Sequence, residues 1–181
     1  MMNLLNVKKI SKFLKANIYF KKPIKRDIVI FDKVGAEIIQ YYLKEKATIL
    51  EVRLESINIF ILFKTIFNFK NDKSVLQNYI NNFINYINPK IIITHVDNNE
   101  FFFKLKKNFP KIKFIVIQNG LSLANFSEDQ LHLKNWCVDY FFVYSNSYKL
   151  SYEKFVEGKV IDIGSLINNK KETSDRDNVE K

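Results

Sequence analysis

The feature that most constrains this chain is a rhythm. Short, continuous apolar runs of strand length alternate with longer amphipathic stretches. The segment Asp27-Ile-Val-Ile-Phe-Asp32 is β-branched and aromatic throughout and bounded by acids, the pattern of a strand buried on both faces. A helical pattern follows through Lys46, with Ile38, Ile39, Tyr42 and Leu43 on one stripe. Thr48–Arg53 reads as a second strand, which completes a βαβ unit. Ile57–Phe69 is apolar except for a few polar positions such as Lys64 and Asn68, and reads as a buried helix or helical loop. Ser74 is placed to cap a helix carrying Leu76, Ile80, Phe83, Ile84 and Ile87, which Asn88-Pro89 stops.

Lys90–Val96 is a third strand, followed by a helix to about Asn108, and Ile112–Gln118 is a fourth, closed by an Asn119-Gly120 turn. Residues 121–137 show no clear period. Val138–Tyr144 is a fifth strand, then a helix runs from Ser145 or Asn146 to about Val156, with Gly158 expected just beyond its end. Val160–Gly164 is a short sixth strand. Strand–helix alternation with right-handed crossovers predicts an α/β fold, a doubly wound and mostly parallel six-stranded sheet of Rossmann-like type. The expected organisation is a basic, partly helical leader at 1–26, the α/β domain at 27–167, and a polar, disordered tail at 168–181.

Composition narrows the function. The chain has 29 Lys and Arg against 19 Asp and Glu, but only Arg26, Arg53 and Arg176 are arginine. The lysines are diffuse, as is the supply of Ile, Asn, Phe and Tyr that an AT-rich genome favours, so they read as solvated surface and argue against nucleic acid. The first 26 residues are the exception, with eight basic side chains and no acidic one. The single cysteine, Cys137, excludes an internal disulfide, fits a reducing cytoplasm, and reads as a small buried thiol rather than a nucleophile. No segment has the continuous apolar length of a signal peptide or a membrane span. There is no G-x-G-x-x-G after the first strand, no Walker A sequence and no G-x-S-x-G elbow. With His95, His132 and Cys137 the only His and Cys residues, no soft-metal cluster is expected, and neither a metal nor a cofactor is called for.

In open parallel sheets ligands bind beyond the carboxyl ends of the strands, where strand order switches. That rule selects Asp32, Lys33 and Gly35; the loop at Arg53; His95, Asp97, Asn98 and Asn99; Gln118, Asn119 and Gly120; and Ser145. Each also has a purely structural reading. Asp97-Asn98-Asn99 caps a helix as readily as it binds, and Asp32 caps or touches a hydroxyl-rich ligand. Gln118-Asn119-Gly120 serves as a turn, and His95 as a hydrogen-bonded strand end or as a base.

Taken together, Asp27–Gly35, Ile49–Asn58, Ile93–Asn99, Phe114–Gly120 and Val160–Asn169 resemble the N-terminal half of bacterial surface carbohydrate biosynthesis proteins, glycosyltransferases of the GT-B type for capsule or lipopolysaccharide. The resemblance covers roughly residues 25–169. It implies a GT-B N-terminal domain that binds a carbohydrate acceptor, with the nucleotide-sugar held by a separate domain or subunit and catalysis in the cleft between. The chain ends where such a second domain would begin, so it is expected to be incomplete as an enzyme. The same resemblance implies acceptor contacts from Asp32, Asp97, Asn98, Asn99, Gln118 and Asn119, with His95 as the candidate base. It also implies work at the inner face of the membrane, with the basic leader resting on anionic lipid, against the simpler reading of a solvated leader helix. The competing reading of the whole chain is a non-catalytic α/β binding or protein-interaction module.

Overall fold

The structure, a computed structural model, describes residues 16–53, 55–120 and 136–170. Six strands form one sheet: β2 (Ile28–Phe31), β3 (Thr48–Leu50), β5 (Ile91–Thr94), β6 (Lys113–Ile117), β7 (Trp136–Val143) and β8 (Val156–Asp162). Their order is β3-β2-β5-β6-β7-β8, and every pairing is parallel. In chain order of these six strands that is 2-1-3-4-5-6, so the direction of winding reverses between β2 and β5.

Side chains alternate across the strands. Val29, Phe31, Ile92, Phe114 and Val116 point into the larger core, which is completed by α2 (Ile59–Phe67), α3 (Val75–Ile87), α4 (Glu100–Asn108) and α5 (Asn146–Tyr152). Ile30, Ile93 and Ile117 point the other way, onto Ala36 and Ile39 of α1 (Ala36–Tyr42). The sheet is therefore doubly wound, with four helices packed into one core cluster and α1 in the other. Aromatic stacking seals the far end of the larger core, where Phe103 lies flat on Trp136 at 4.2 Å.

Ser74 caps α3 through a reciprocal capping box with Gln77, as its position before the apolar stripe suggested. Helix α1 stops at Tyr42, four residues short of the sequence expectation. The Gln40 side chain closes it off by donating to the Glu45 carbonyl and accepting from the Ala47 amide, which turns the chain back toward β3. The run expected as a strand to Arg53 leaves the ladder after Leu50, whose carbonyl takes the Asp32 amide, and then turns.

Three further expectations are corrected. The 57–69 segment is helical as expected, but not buried: β4 (Ser56–Asn58) leads into α2, which buries only Ile61 and Thr65. The helix after Ser145 ends at Tyr152, and Gly158 lies inside β8 rather than after the helix. Its backbone, at φ +153°, passes the irregularity in β7 between Cys137 and Tyr140 so closely that a Cβ would stand 2.1 Å from the Val138 carbonyl oxygen. Trp136 and Cys137, expected in an irregular stretch, open β7, and the Cys137 thiol is half-buried rather than buried.

Of the leader, residues 1–15 lie outside the described residues. The remainder contains β1 (Asn17–Tyr19), which pairs in parallel with β4 as a separate two-stranded sheet. Of the tail, residues 168–170 are helical and 171–181 lie outside the described residues. No helix among the described residues is long and apolar enough to cross a membrane.

Candidate functional site

The reversal between β2 and β5 places the loops after these strands side by side. Thr94 ties them together: its hydroxyl donates to the Phe31 carbonyl at 2.8 Å and accepts from the Val96 amide. Beyond that tie the chain after β2 enters an unusual conformation. Asp32 sits at φ +80°, a region non-glycine residues rarely occupy, and its carboxylate is 1% exposed. One oxygen accepts from the Val34 amide at 3.1 Å and the other from Arg53 Nε at 2.8 Å. Asp32 thus neither caps α1, whose N-cap is Gly35, nor faces solvent. It fixes Arg53, which is itself held by a bond from its amide to the Glu55 carboxylate and keeps a 51% exposed side chain.

Arg53 stands at the mouth of a cleft of about 550 Å³. The other walls are the first turn of α3 at Ser74 and Gln77 and the loop Asn98-Asn99 leading to Phe101. Asn99 is the N-cap of α4 and accepts from the amides of Phe101 and Phe102, so its Oδ1 is engaged by the fold. Asn98 is exposed at the rim. The N-termini of α3 and α4 both open onto the cleft, and their partial positive charge and that of Arg53 are offset by Glu100, in the first turn of α4 and also in the lining. Half-buried Phe101 supplies apolar surface, backed by fully buried Phe31. This is a depression of mixed apolar and polar lining, with donors and acceptors suited to a hydroxyl-bearing ligand. A depression of about 340 Å³ at the opposite end of the strands, beside Asp27 and Asn88, lies away from all these groups.

The other predicted site residues are placed elsewhere. His95 is 2% exposed, lies against Gly35 on the α1 side of the sheet, and does not line the cleft. Its Nδ1 is buried without a hydrogen-bond partner. Burial pushes the imidazole below its ordinary value, with Asp97 pulling the other way, so it is held neutral. Gly35 adopts φ +71°, and a Cβ there would come within 2.7 Å of three His95 side-chain atoms. Lys33 turns to Glu51, at 3.4 Å, rather than into the cleft.

Asp97 and Gln118 belong to a second polar cluster, at the ends of β5, β6 and β7. Asp97 is 2% exposed and takes the Asn119 amide at 3.4 Å. Gln118 is fully buried; its Nε2 donates to the Gly120 carbonyl and its Oε1 accepts from the Tyr144 amide. Two tyrosines that sequence reasoning assigned to a strand end and a helix complete the cluster. Burial, with the Asp97 charge adding to it, raises the phenols of Tyr144 and Tyr152 above their ordinary range, so both stay neutral. Asn119 is exposed, and Ser145 is an exposed N-cap residue whose side chain makes no cap hydrogen bond. Gly120 has open space beside it.

The structure therefore gathers Asp32, Arg53, Asn98 and Asn99 around one cleft, and Asp97, Gln118 and Asn119 in a neighbouring network. Sequence reasoning missed Ser74, Gln77 and Phe101 as cleft walls. The capping signal at Ser74 was visible, but nothing local says that the helix it starts returns to the same edge of the sheet. Half-buried Cys137 carries a thiol pushed up by burial and by Glu157, the opposite of nucleophile activation. Among the described residues no group of three or more His, Cys, Asp or Glu side chains could hold a metal ion.

The fold is an open, all-parallel α/β sheet flanked by helices, with a cleft at the switch in strand order. Residues 115–181, from within β6 to the end of the chain, match the model of a family described as "putative O-antigen biosynthesis protein", which supports a place in surface carbohydrate biosynthesis. No curated protein and no solved structure matches the chain.

Proposed function

We propose that this domain binds the carbohydrate acceptor in a glycosyltransferase reaction of surface polysaccharide assembly. The observation that carries the reading is the cleft at the β2–β5 switch, where Arg53, fixed by buried Asp32, faces Asn98 and the aromatic wall at Phe101. Sugar hydroxyls need donors and acceptors in fixed positions and apolar surface for their C–H faces, and the cleft offers both. The match of residues 115–181, a stretch outside the cleft, to an O-antigen biosynthesis family supports a role in surface polysaccharide assembly.

In such a reaction an acceptor hydroxyl attacks the anomeric carbon of a nucleotide-activated sugar. The bond from that carbon to the diphosphate breaks, and the hydroxyl proton passes to a base. In this reading the domain positions the hydroxyl, and a GT-B partner domain or subunit brings the nucleotide-sugar. His95, neutral and enclosed behind Gly35, positions the turn after β2 rather than taking the proton.

The test is titration calorimetry of the full chain with oligosaccharides from O-antigen or capsule, and separately with nucleotide-sugars. Oligosaccharide binding that weakens about tenfold or more in Arg53→Ala supports the reading, since each lost charge-assisted hydrogen bond is worth roughly 1.5–3 kcal/mol. Binding of nucleotide-sugars alone, or oligosaccharide binding indifferent to Arg53→Ala, overturns it.

A further inference from the structure

Helix α2 carries an apolar surface that the core does not use. Phe63, Ile66 and Phe67 stand on one face at three- and four-residue spacing and are 55%, 61% and 84% exposed. Single exposed apolar residues are ordinary, but a contiguous group with a polar rim marks an interaction surface.

The rim here has one sign. No acidic residue occurs between Glu55 and Asp72, and α3, packed beside α2, has no charged residue at all. The β1–β4 pairing brings the described end of the basic N-terminal segment to this region, where Asn58 Nδ2 donates to the Lys21 carbonyl at 2.7 Å. Three ammonium groups then converge on one aromatic pair. Lys22 lies 5.1 Å from the Phe60 ring centre, Lys25 lies 5.0 Å from that of Tyr86, and Lys64 lies 5.4 and 5.5 Å from the two. None of the three forms an ion pair among the described residues. Asp27 and Glu45 share a depression with Lys25, but the three ammonium groups rest on aromatic faces without a salt bridge, which leaves their charge open to an external anion.

We propose that this face docks on a bilayer rich in anionic phospholipid. Phe63, Ile66 and Phe67 enter the acyl boundary while Lys22, Lys25 and Lys64 meet headgroup phosphates. The helix lies in the interface, because none of those described is long enough to span. A second copy of this chain fits less well, since a two-fold contact would bring the same lysines face to face. The proposal is independent of the carbohydrate reading and places lipid contact on α2 as well as on the N-terminal segment.

Cosedimentation of the full chain with vesicles of phosphatidylcholine, with and without phosphatidylglycerol, tests it. Binding is expected with phosphatidylglycerol, weak without it, and reduced by added salt. Phe63→Ser combined with Phe67→Ser is expected to lower the partition coefficient at least about tenfold, given the apolar area withdrawn from the bilayer. Lys22→Glu with Lys25→Glu and Lys64→Glu is expected to remove the preference for phosphatidylglycerol. All these side chains are at the surface, so melting temperatures of the variants serve as the folding control, and Phe67→Ser alone is used if the pair melts early. No preference for phosphatidylglycerol in the wild type overturns the proposal. So does unchanged binding of the serine variants, which assigns lipid contact to other basic residues. A dimer that Phe67→Ser dissolves, without vesicle binding, assigns the face to a second copy.

Discussion

Two polar regions share the carboxyl edge of the sheet and use similar residues, yet they differ in what their side chains are free to do. Around β5, β6 and β7, Asp97 and Gln118 are buried with hydrogen bonds to neighbouring loops, and Tyr152 is enclosed beside them. Around β2 and β5, Asp32 is just as buried, but the side chain it holds, Arg53, reaches solvent at the mouth of a cleft, with Asn98 exposed on the far rim. Position at the edge of a parallel sheet makes a polar residue a candidate. Whether its hydrogen-bonding groups are left over after the fold is satisfied makes it a site residue.

Substitutions should sort along this divide. The largest effect is expected behind the site. Gly35→Ala combines a left-handed backbone with a Cβ 2.6 Å from His95 Nδ1, and should cost about 3 kcal/mol in urea unfolding. Adding His95→Gly, which removes all three contacting atoms, should return part of that loss, and no recovery would show that the strain lies in the backbone. Gln118→Leu leaves the Tyr144 amide and the Gly120 carbonyl without their partner, and should cost about 2 kcal/mol. A neutral result there would move Gln118 from the network to the available side of the comparison.

Arg53→Ala should be milder, about 1 kcal/mol, because the guanidinium is half in solvent although the Asp32 carboxylate it faces is buried. Its main effect is on ligand binding. A smaller, pH-dependent contribution comes from His95. Its folded-state pKa lies below the ordinary value, so between the two the unfolded chain binds a proton that the folded chain does not. That part of the stability is present above the unfolded pKa and is lost as pH falls toward the folded one. Melting temperatures taken downward from neutral pH should decline less steeply in His95→Gln than in the wild type. Asn98→Ala should change stability by no more than about 0.5 kcal/mol while weakening oligosaccharide binding, the mark of an available residue.

The strands of this fold were legible because a strand buried on both faces must be apolar throughout, and Ile28–Phe31, Ile91–Thr94 and Lys113–Ile117 nearly are. Ser74 was legible as a cap because its partner Gln77 is three residues away. What escaped depended on distant partners. The amide that occupies Gln118 belongs to Tyr144, 26 residues on, and Gly158 is required by an irregularity in another strand. Helix α2 misled because apolar content reports a preference for leaving water, not which surface grants it: Phe63 and Phe67 are as hydrophobic as Ile61, yet only Ile61 reaches the core. The edge rule found the region of the cleft, and Arg53 and Asn98 within it, but not the wall contributed by the start of α3.

The most direct test of the central claim is amide hydrogen exchange of the full chain with and without a surface-polysaccharide oligosaccharide. The account predicts added protection at residues 52–53, at the start of α3 and at residues 98–101, with the Gln118–Gly120 and Tyr144–Ser145 backbone unchanged. Protection confined to that second region, or none at saturating oligosaccharide, would contradict it.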